Sequence, residues 1–232
     1  MTPTFRLSTT PRAWLAVTLA ALCWPAAALA APSVTVTFQT ASGPQRAVGA
    51  PVPGNALQGA RFVLGRPGAK NTIVEFGNYL CSHCQDWAGQ VQGQLIKELV
   101  KTGVARFAYR DLPFAGQVNA RLAAGSAACA ADQGKYWAFH DLLYGAAGRW
   151  GVQDEQTLRS QMSLYASVVG LEPNAFVACL KSGAHLAAVD ADAEAAQGFK
   201  ITGTPAFIVN GVLFEGALPI EAFKAILKVK AR

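Results

Sequence analysis

Apolar residues recur along this chain at three different spacings, and each predicts a different kind of element. The first is the run Ala13 to Trp24, twelve residues with no charge, preceded by Arg6 and Arg12 and broken by Pro25. Ala28-Leu29-Ala30 follows as a small-x-small site, so residues 1–30 read as a cleavable secretory signal peptide, cut after Ala30. Residues 31–60 hold four Gly and four Pro with Arg46 as the only charge. Val34 to Phe38 alternates like a short strand there, and the rest reads as an extended lead-in. Order strengthens near Asn71. Thr72-Ile73-Val74-Glu75-Phe76 is a β-prone run expected to be buried on both faces. From Ser82 to Lys101 the spacing turns helical, with Trp87, Val91, Leu95 and Leu99 four residues apart. Gly103 stops that helix, and Val104 to Tyr109 forms the next strand. A strand, a helix and a strand of this length make a βαβ unit with parallel strands.

Residues 115–200 read as helical throughout. Eight of the 17 residues 115–131 are Ala, the strongest helix former. Further helices are expected around Trp137 to Tyr144, from Asp154 to Val169, from Pro173 onward, and from Ala184 to Phe199. The chain then returns to β structure. Ala206-Phe207-Ile208-Val209 and Val212-Leu213-Phe214 flank Asn210-Gly211, a hairpin signal, because both turn residues must take positive φ. Pro219 opens a last amphipathic helix. The order is β-α-β, a helical block, then β-β-α: an α/β sheet interrupted by an all-helical insert, the element order of a thioredoxin-like fold. The expected divisions are 1–30 signal peptide, 31–60 Gly/Pro-rich N-terminal extension, 61–114 first part of the sheet domain, 115–200 insert, and 201–232 second part.

Composition narrows the class. In 232 residues, 52% are hydrophobic and 15% charged, which excludes a disordered chain. The formal charge of +6 falls to 18 − 14 = +4 once residues 1–30 and their two Arg are removed. The remaining Lys and Arg are scattered apart from a cluster at Lys224, Lys228, Lys230 and Arg232, which reads as a solvated helix face. No nucleic-acid partner is expected. Of five cysteines, Cys23 leaves with the leader, and four remain in an exported chain where disulfides persist.

Cys81-Ser82-His83-Cys84 sits where a strand hands over to a helix. Cys81 then lies at the helix N-terminus, where unpaired N–H groups and the positive end of the macrodipole stabilise a thiolate. Cys84 lies one turn in, close enough to form a disulfide with Cys81. His83 can donate a hydrogen bond to that thiolate or place a positive charge beside it. Glu75, an acid in an otherwise apolar strand, is placed to take or give the proton of Cys84. No metal is expected: a zinc half-site needs a second pair of ligands, and Cys129 and Cys179 stand alone, 50 residues apart. Covalent haem requires His after the second Cys, and Gln85 is there. His140 and His185 read as structural or surface histidines. Thr204-Pro205 heads a strand; a cis bond there would expose the Thr204 backbone to an incoming extended peptide.

Glu75 to Cys84, Gly203-Thr204-Pro205-Ala206-Phe207-Ile208-Val209-Asn210-Gly211, and Ala131-Asp132-Gln133-Gly134-Lys135-Tyr136-Trp137 together resemble the DsbA-like thiol–disulfide oxidoreductases, over roughly residues 61–230. The resemblance implies a thioredoxin fold with a helical insert and a cis Pro205. It implies Cys81 as the attacked sulfur, Cys84 as its buried partner, and catalytic or substrate-binding roles for Thr204 and Pro205. It also implies a periplasmic or extracytoplasmic disulfide oxidase without metal or organic cofactor. Such an oxidase acts on unfolded thiol-containing secreted proteins and is reoxidised by a membrane quinone-linked protein. Some relatives carry a second bridge, which here would join Cys129 and Cys179. Two positions depart from the pattern: Ser82 stands where the best-known oxidase has Pro, so the redox potential does not carry over, and Asn78 stands where many relatives have Asp.

Two other readings stay open. One is a reductase or isomerase of the same fold; isomerases dimerise through an added N-terminal region, and residues 31–60 are too short and Gly/Pro-rich for one, so a monomer is expected. The other is a non-catalytic periplasmic chaperone or metal-binding module.

Overall fold

In a computed structural model of the chain, residues 32–228 are described. The expected signal peptide lies outside them. No helix among the described residues is long and apolar enough to cross a membrane.

Seven strands form one sheet. They are β1 (Val34–Thr40), β2 (Gly43–Pro51), β3 (Phe62–Leu64), β4 (Asn71–Gly77), β5 (Ala105–Asp111), β6 (Ala206–Val209) and β7 (Val212–Glu215). Across the sheet they run β1-β2-β7-β6-β4-β5-β3. β4 and β5 are parallel, from Asn71 opposite Ala105 to Gly77 opposite Asp111. β6 runs antiparallel to β4 and to β7. The β6–β7 turn has Asn210 at φ 50° and Gly211 at φ 82°.

The extended lead-in expected over residues 31–60 is corrected in part. It contains a hairpin, β1–β2, whose second strand docks on β7 and lengthens the sheet. The four Gly and Pro within β2 hid it. One of them is required: a Cβ on Gly49 would come within 2.7 Å of the Leu213 carbonyl and the Phe214 ring. β3, at the opposite edge, was also outside the expected elements; three residues are too few to show a period.

The helix after Cys81 is α1, residues 82–100. It opens as Ser82–Trp87 and continues through π-helical turns at Ala88–Gln92 and Ile96–Val100. The insert holds α2 (Val118–Ala131), α3 (Tyr136–Gly145), α4 (Ala147–Trp150), α5 (Glu155–Val168), α6 (Pro173–Ser182) and α7 (Leu186–Gly198). Its helix ends are capped by local chemistry. Asp154 accepts from the Thr157 N–H at the start of α5. Glu172 accepts from the Asn174 and Ala175 N–H groups ahead of α6, Pro173 takes its first turn, and Gly183 ends it at φ 65°. The last helix, α8 (Ile220–Lys228), returns to the sheet.

Side-chain alternation along the strands separates two cores. Ile73, Phe107, Phe207 and Val209 face α1 and α8, where they join Trp87, Leu95 and Phe223. Val74, Phe76, Ala108, Ala206 and Ile208 face the other way, against Ala196 of α7. Glu75 shares the parity of Ile73, so the register aims its carboxyl at the α1 side. A buried ion network ties the insert to the sheet. Arg110 Nε donates to Asp192 Oδ1 at 2.7 Å, and Arg61 Nη2 reaches Asp111 Oδ2 at 3.3 Å and Asp192 Oδ2 at 3.5 Å.

Candidate active site

β4 ends at Gly77, and Asn78 turns the chain into α1. The Asn78 side chain both accepts and donates, as an amide can. Its Oδ1 accepts from the Leu80 N–H at 2.9 Å, and its Nδ2 donates to Gln117 Oε1 at 2.6 Å. An ionised aspartate could not make the second bond. That gives the Asn78 departure a physical reading: it ties the active-site turn to the start of the insert.

Cys81 is the N-cap residue of α1, with extended backbone. Its sulfur is partly exposed, whereas Cys84 is fully buried, and both are free thiols in this structure. The Cys81 thiol is pulled down to about 5, first by the hydrogen bond from Cys84 and then by the Thr204 side chain and the N–H groups of Cys84 and His83; partial burial opposes this. The Cys84 thiol is pushed far above its ordinary value, because it donates to Cys81, is buried, and lies near Glu75. The pair is therefore asymmetric at neutral pH: an accessible thiolate beside a protected thiol.

Thr204-Pro205 completes the rim. The peptide bond between them is cis, and the Thr204 carbonyl oxygen lies 3.2 Å from Cys81 Sγ. The Thr204 hydroxyl is buried with no hydrogen-bond partner. Pro205 is buried at the head of β6.

His83 sits differently from the sequence expectation. It is exposed on the first turn, and its backbone N–H, rather than its imidazole, stabilises the Cys81 sulfur. Glu75 is fully buried under the pair, and neither carboxylate oxygen has a hydrogen-bond partner. Burial holds its pKa well above the usual carboxylate range, and the charge on Cys81 adds to the effect. Both effects favour its protonated form.

Sequence reasoning missed the aromatic wall behind Cys84. The Tyr79 hydroxyl bonds to His140 Nδ1 at 2.9 Å, and the Tyr109 and Tyr144 hydroxyls bond to each other at 2.8 Å. Burial pulls the His140 pKa to about 3, so the ring is neutral. These residues come from β5, α3 and the turn before α1; only His140 and Tyr144, four apart on α3, are related by a local spacing. Cys129 and Cys179 are bonded to each other, on α2 and α6, far along the chain from the Cys81 pair.

The family described as Thioredoxin matches residues 58–229 of the chain. The Na(+)/H(+) antiporter NhaA 3 of Salinispora tropica is 30% identical over 164 residues, which are 70% of this chain and 24% of that protein. The chain spans about a quarter of the length of the first curated relatives it matches. The probable disulfide bond formation protein D of Bacillus anthracis is 28% identical over 154 residues, covering 65% of this chain and 70% of that one. Among solved structures, oxidised BdbD from Bacillus subtilis superposes with a TM-score of 0.65 at 22% identity, over 77% of this chain and 96% of that one.

Proposed function

The chain belongs to the thioredoxin family, and from that premise we propose that it is an exported thiol–disulfide oxidoreductase working mainly as a disulfide oxidase. The observation that carries this reading is the asymmetry of the Cys81–Cys84 pair: one sulfur accessible and stabilised as thiolate, the other buried and held as thiol.

The reaction starts from the Cys81–Cys84 disulfide. A substrate thiolate attacks Cys81 Sγ, the sulfur that solvent reaches, and the S–S bond to Cys84 breaks. Cys84 leaves into a buried site where a thiolate is costly, so it takes up a proton, and Glu75 is the neutral acid beneath it. The mixed disulfide joins Cys81 to the substrate. A second substrate thiolate then attacks the substrate sulfur and expels Cys81 as a stabilised thiolate, a good leaving group. One disulfide passes to the substrate, and two electrons remain on the enzyme as the dithiol. Thr204 and Pro205 serve as the substrate ledge: the Thr204 backbone, at the sulfur, pairs with the extended segment around the incoming cysteine. The Cys129–Cys179 bridge holds the insert together. The substrates are unfolded secreted proteins bearing thiols, a membrane quinone-linked protein restores the disulfide, and the enzyme works as a periplasmic or extracytoplasmic monomer.

Two variants test the reading. Cys81→Ser should abolish disulfide transfer to a reduced peptide. Cys84→Ser, charged at Cys81 as a mixed disulfide, should retain the attached peptide, because no internal thiol releases it. Transfer at the normal rate by Cys81→Ser would overturn the assignment.

A further inference from the structure

The second cysteine pair does not stand alone in space. Cys129 lies near the end of α2, and Asp132 follows at its C-cap, one turn on. Cys179 lies in the last turns of α6, and the left-handed turn at Gly183 brings His185, the residue that opens α7, back over it. The ligand atoms of Cys129, Cys179 and His185 all lie within 4.8 Å of one another. His185 Nε2 is 2.8 Å from Asp132 Oδ2, and Cys179 Sγ is 3.6 Å from the same oxygen. Two sulfurs and one imidazole nitrogen thus lie close together, and a carboxylate oxygen borders them beside His185 and Cys179. This is a donor set that suits a tetrahedral zinc ion and not the hard, all-oxygen preference of calcium or magnesium.

While the bridge is closed, its sulfurs are neutral and bonded to each other, and the set holds only two good ligands. We propose that reduction of the Cys129–Cys179 bridge opens a zinc site formed by Cys129, Cys179, His185 and Asp132. The step balances. A dithiol reductant delivers two electrons to the S–S bond and becomes a disulfide, and Cys129 and Cys179 take up one proton each. Zinc then displaces both protons and binds two thiolates, the neutral imidazole and the carboxylate. In the reverse step a disulfide-bonded oxidant takes two electrons from the pair and becomes a dithiol, the Cys129–Cys179 bridge re-forms, and the ion is released.

The surroundings allow it. Cys129 is buried, but the His185 and Asp132 side chains are 25% and 54% exposed, so an ion reaches the site from the Asp132 side. A small cleft lined by Cys129, Cys179, Gly183 and His185 borders the bridge. Zinc–sulfur bonds of about 2.3 Å place two thiolates about 3.8 Å apart. The Cα atoms, 5.9 Å apart, need not move for side-chain rotation to reach that spacing. The ion would hold the insert in the reduced state as the bridge does in the oxidised one. It would also keep these thiols from pairing with Cys81.

The test uses the full chain with Cys81→Ser and Cys84→Ser, so that the other pair cannot bind metal. The protein is reduced with a phosphine, freed of reductant, and titrated with zinc against a chromophoric chelator, then with cobalt. The reduced form should bind one zinc per chain and give the visible absorption of tetrahedral thiolate-bound cobalt. The bridged form should bind none. Adding His185→Ala should weaken binding tenfold or more, and adding Cys129→Ser with Cys179→Ser should abolish it. Absence of binding by the reduced chain, or equal binding by the His185→Ala or bridged forms, overturns the proposal. If opening the bridge unfolds the insert, melting of the reduced chain decides. Zinc should raise its Tm and should not raise that of the His185→Ala form, and no rise in either overturns the site.

Discussion

The depressed pKa of Cys81 gives the reduced protein a stabilising contribution that the oxidised one lacks, and pH controls its size. The thiol titrates at about 5 in the fold, against about 8.5 in an unfolded chain. A group with a depressed folded pKa contributes stability that is complete above the unfolded pKa and is lost as pH falls through the folded pKa. At pH 7 the solution lies about two units above the folded value and below the unfolded one, which gives about 2.7 kcal/mol. The sulfur is partly exposed, so solvent screening reduces this to about 2 kcal/mol. The disulfide form has no proton at Cys81 and gains nothing. Cys84 is protonated in the folded and unfolded reduced chain at pH 7, and Glu75, whose pKa the Cys81 charge raises further, is replaced by Gln in both redox forms so that it does not titrate. The assay is urea unfolding of the oxidised protein and of protein reduced at the Cys81–Cys84 pair alone, from pH 4 to pH 7, with the second bridge checked by mass. The reduced-minus-oxidised gap should open by about 2 kcal/mol between pH 5 and pH 7 and stay flat below pH 5. A gap that does not change between pH 5 and pH 7 refutes the thiolate account.

Other residues carry separate consequences. Glu75→Gln should leave the fold intact and slow thiol–disulfide exchange with a model peptide by tenfold or more in stopped-flow fluorescence, because the proton donor under Cys84 is gone. Arg110→Ala should cost about 3–5 kcal/mol in urea unfolding, since it leaves Asp192 buried without its closest ion-pair partner. Replacing Cys129 and Cys179 together by Ala should lower stability by about 4 kcal/mol, the chain-entropy value for a loop of this length, with Cys81 reactivity toward a thiol reagent unchanged.

The elements that could be read from the sequence are those with a strong local period or a demanding turn. The i+4 series Trp87, Val91, Leu95, Leu99 marks α1, and Asn210-Gly211 marks the hairpin because few residues take its dihedrals. The β1–β2 hairpin was half visible. Val34 to Phe38 alternates, but β2 carries Gly and Pro that deny a strand by propensity, and Gly49 is there because β7 approaches its backbone too closely for a side chain. At the site, Cys81, Cys84 and Glu75 were legible because one strand–turn–helix contains them. His83 was legible as a neighbour but not in its role, since sequence does not show whether ring or backbone N–H reaches a sulfur. The Tyr79–His140 and Tyr109–Tyr144 pairs, and the approach of Asp132 to Cys179 and His185, join elements far apart in the chain. Only the packing of the insert brings them together.

A Cys81–Cys84 pair that gives disulfides away must be a strong oxidant. Equilibration of the pair with glutathione, read by the fluorescence of the buried Trp87 two turns into α1, measures its reduction potential. The expected value is that of a strong oxidant, about −120 mV. A value near about −270 mV, that of a thioredoxin-like reductant, contradicts it.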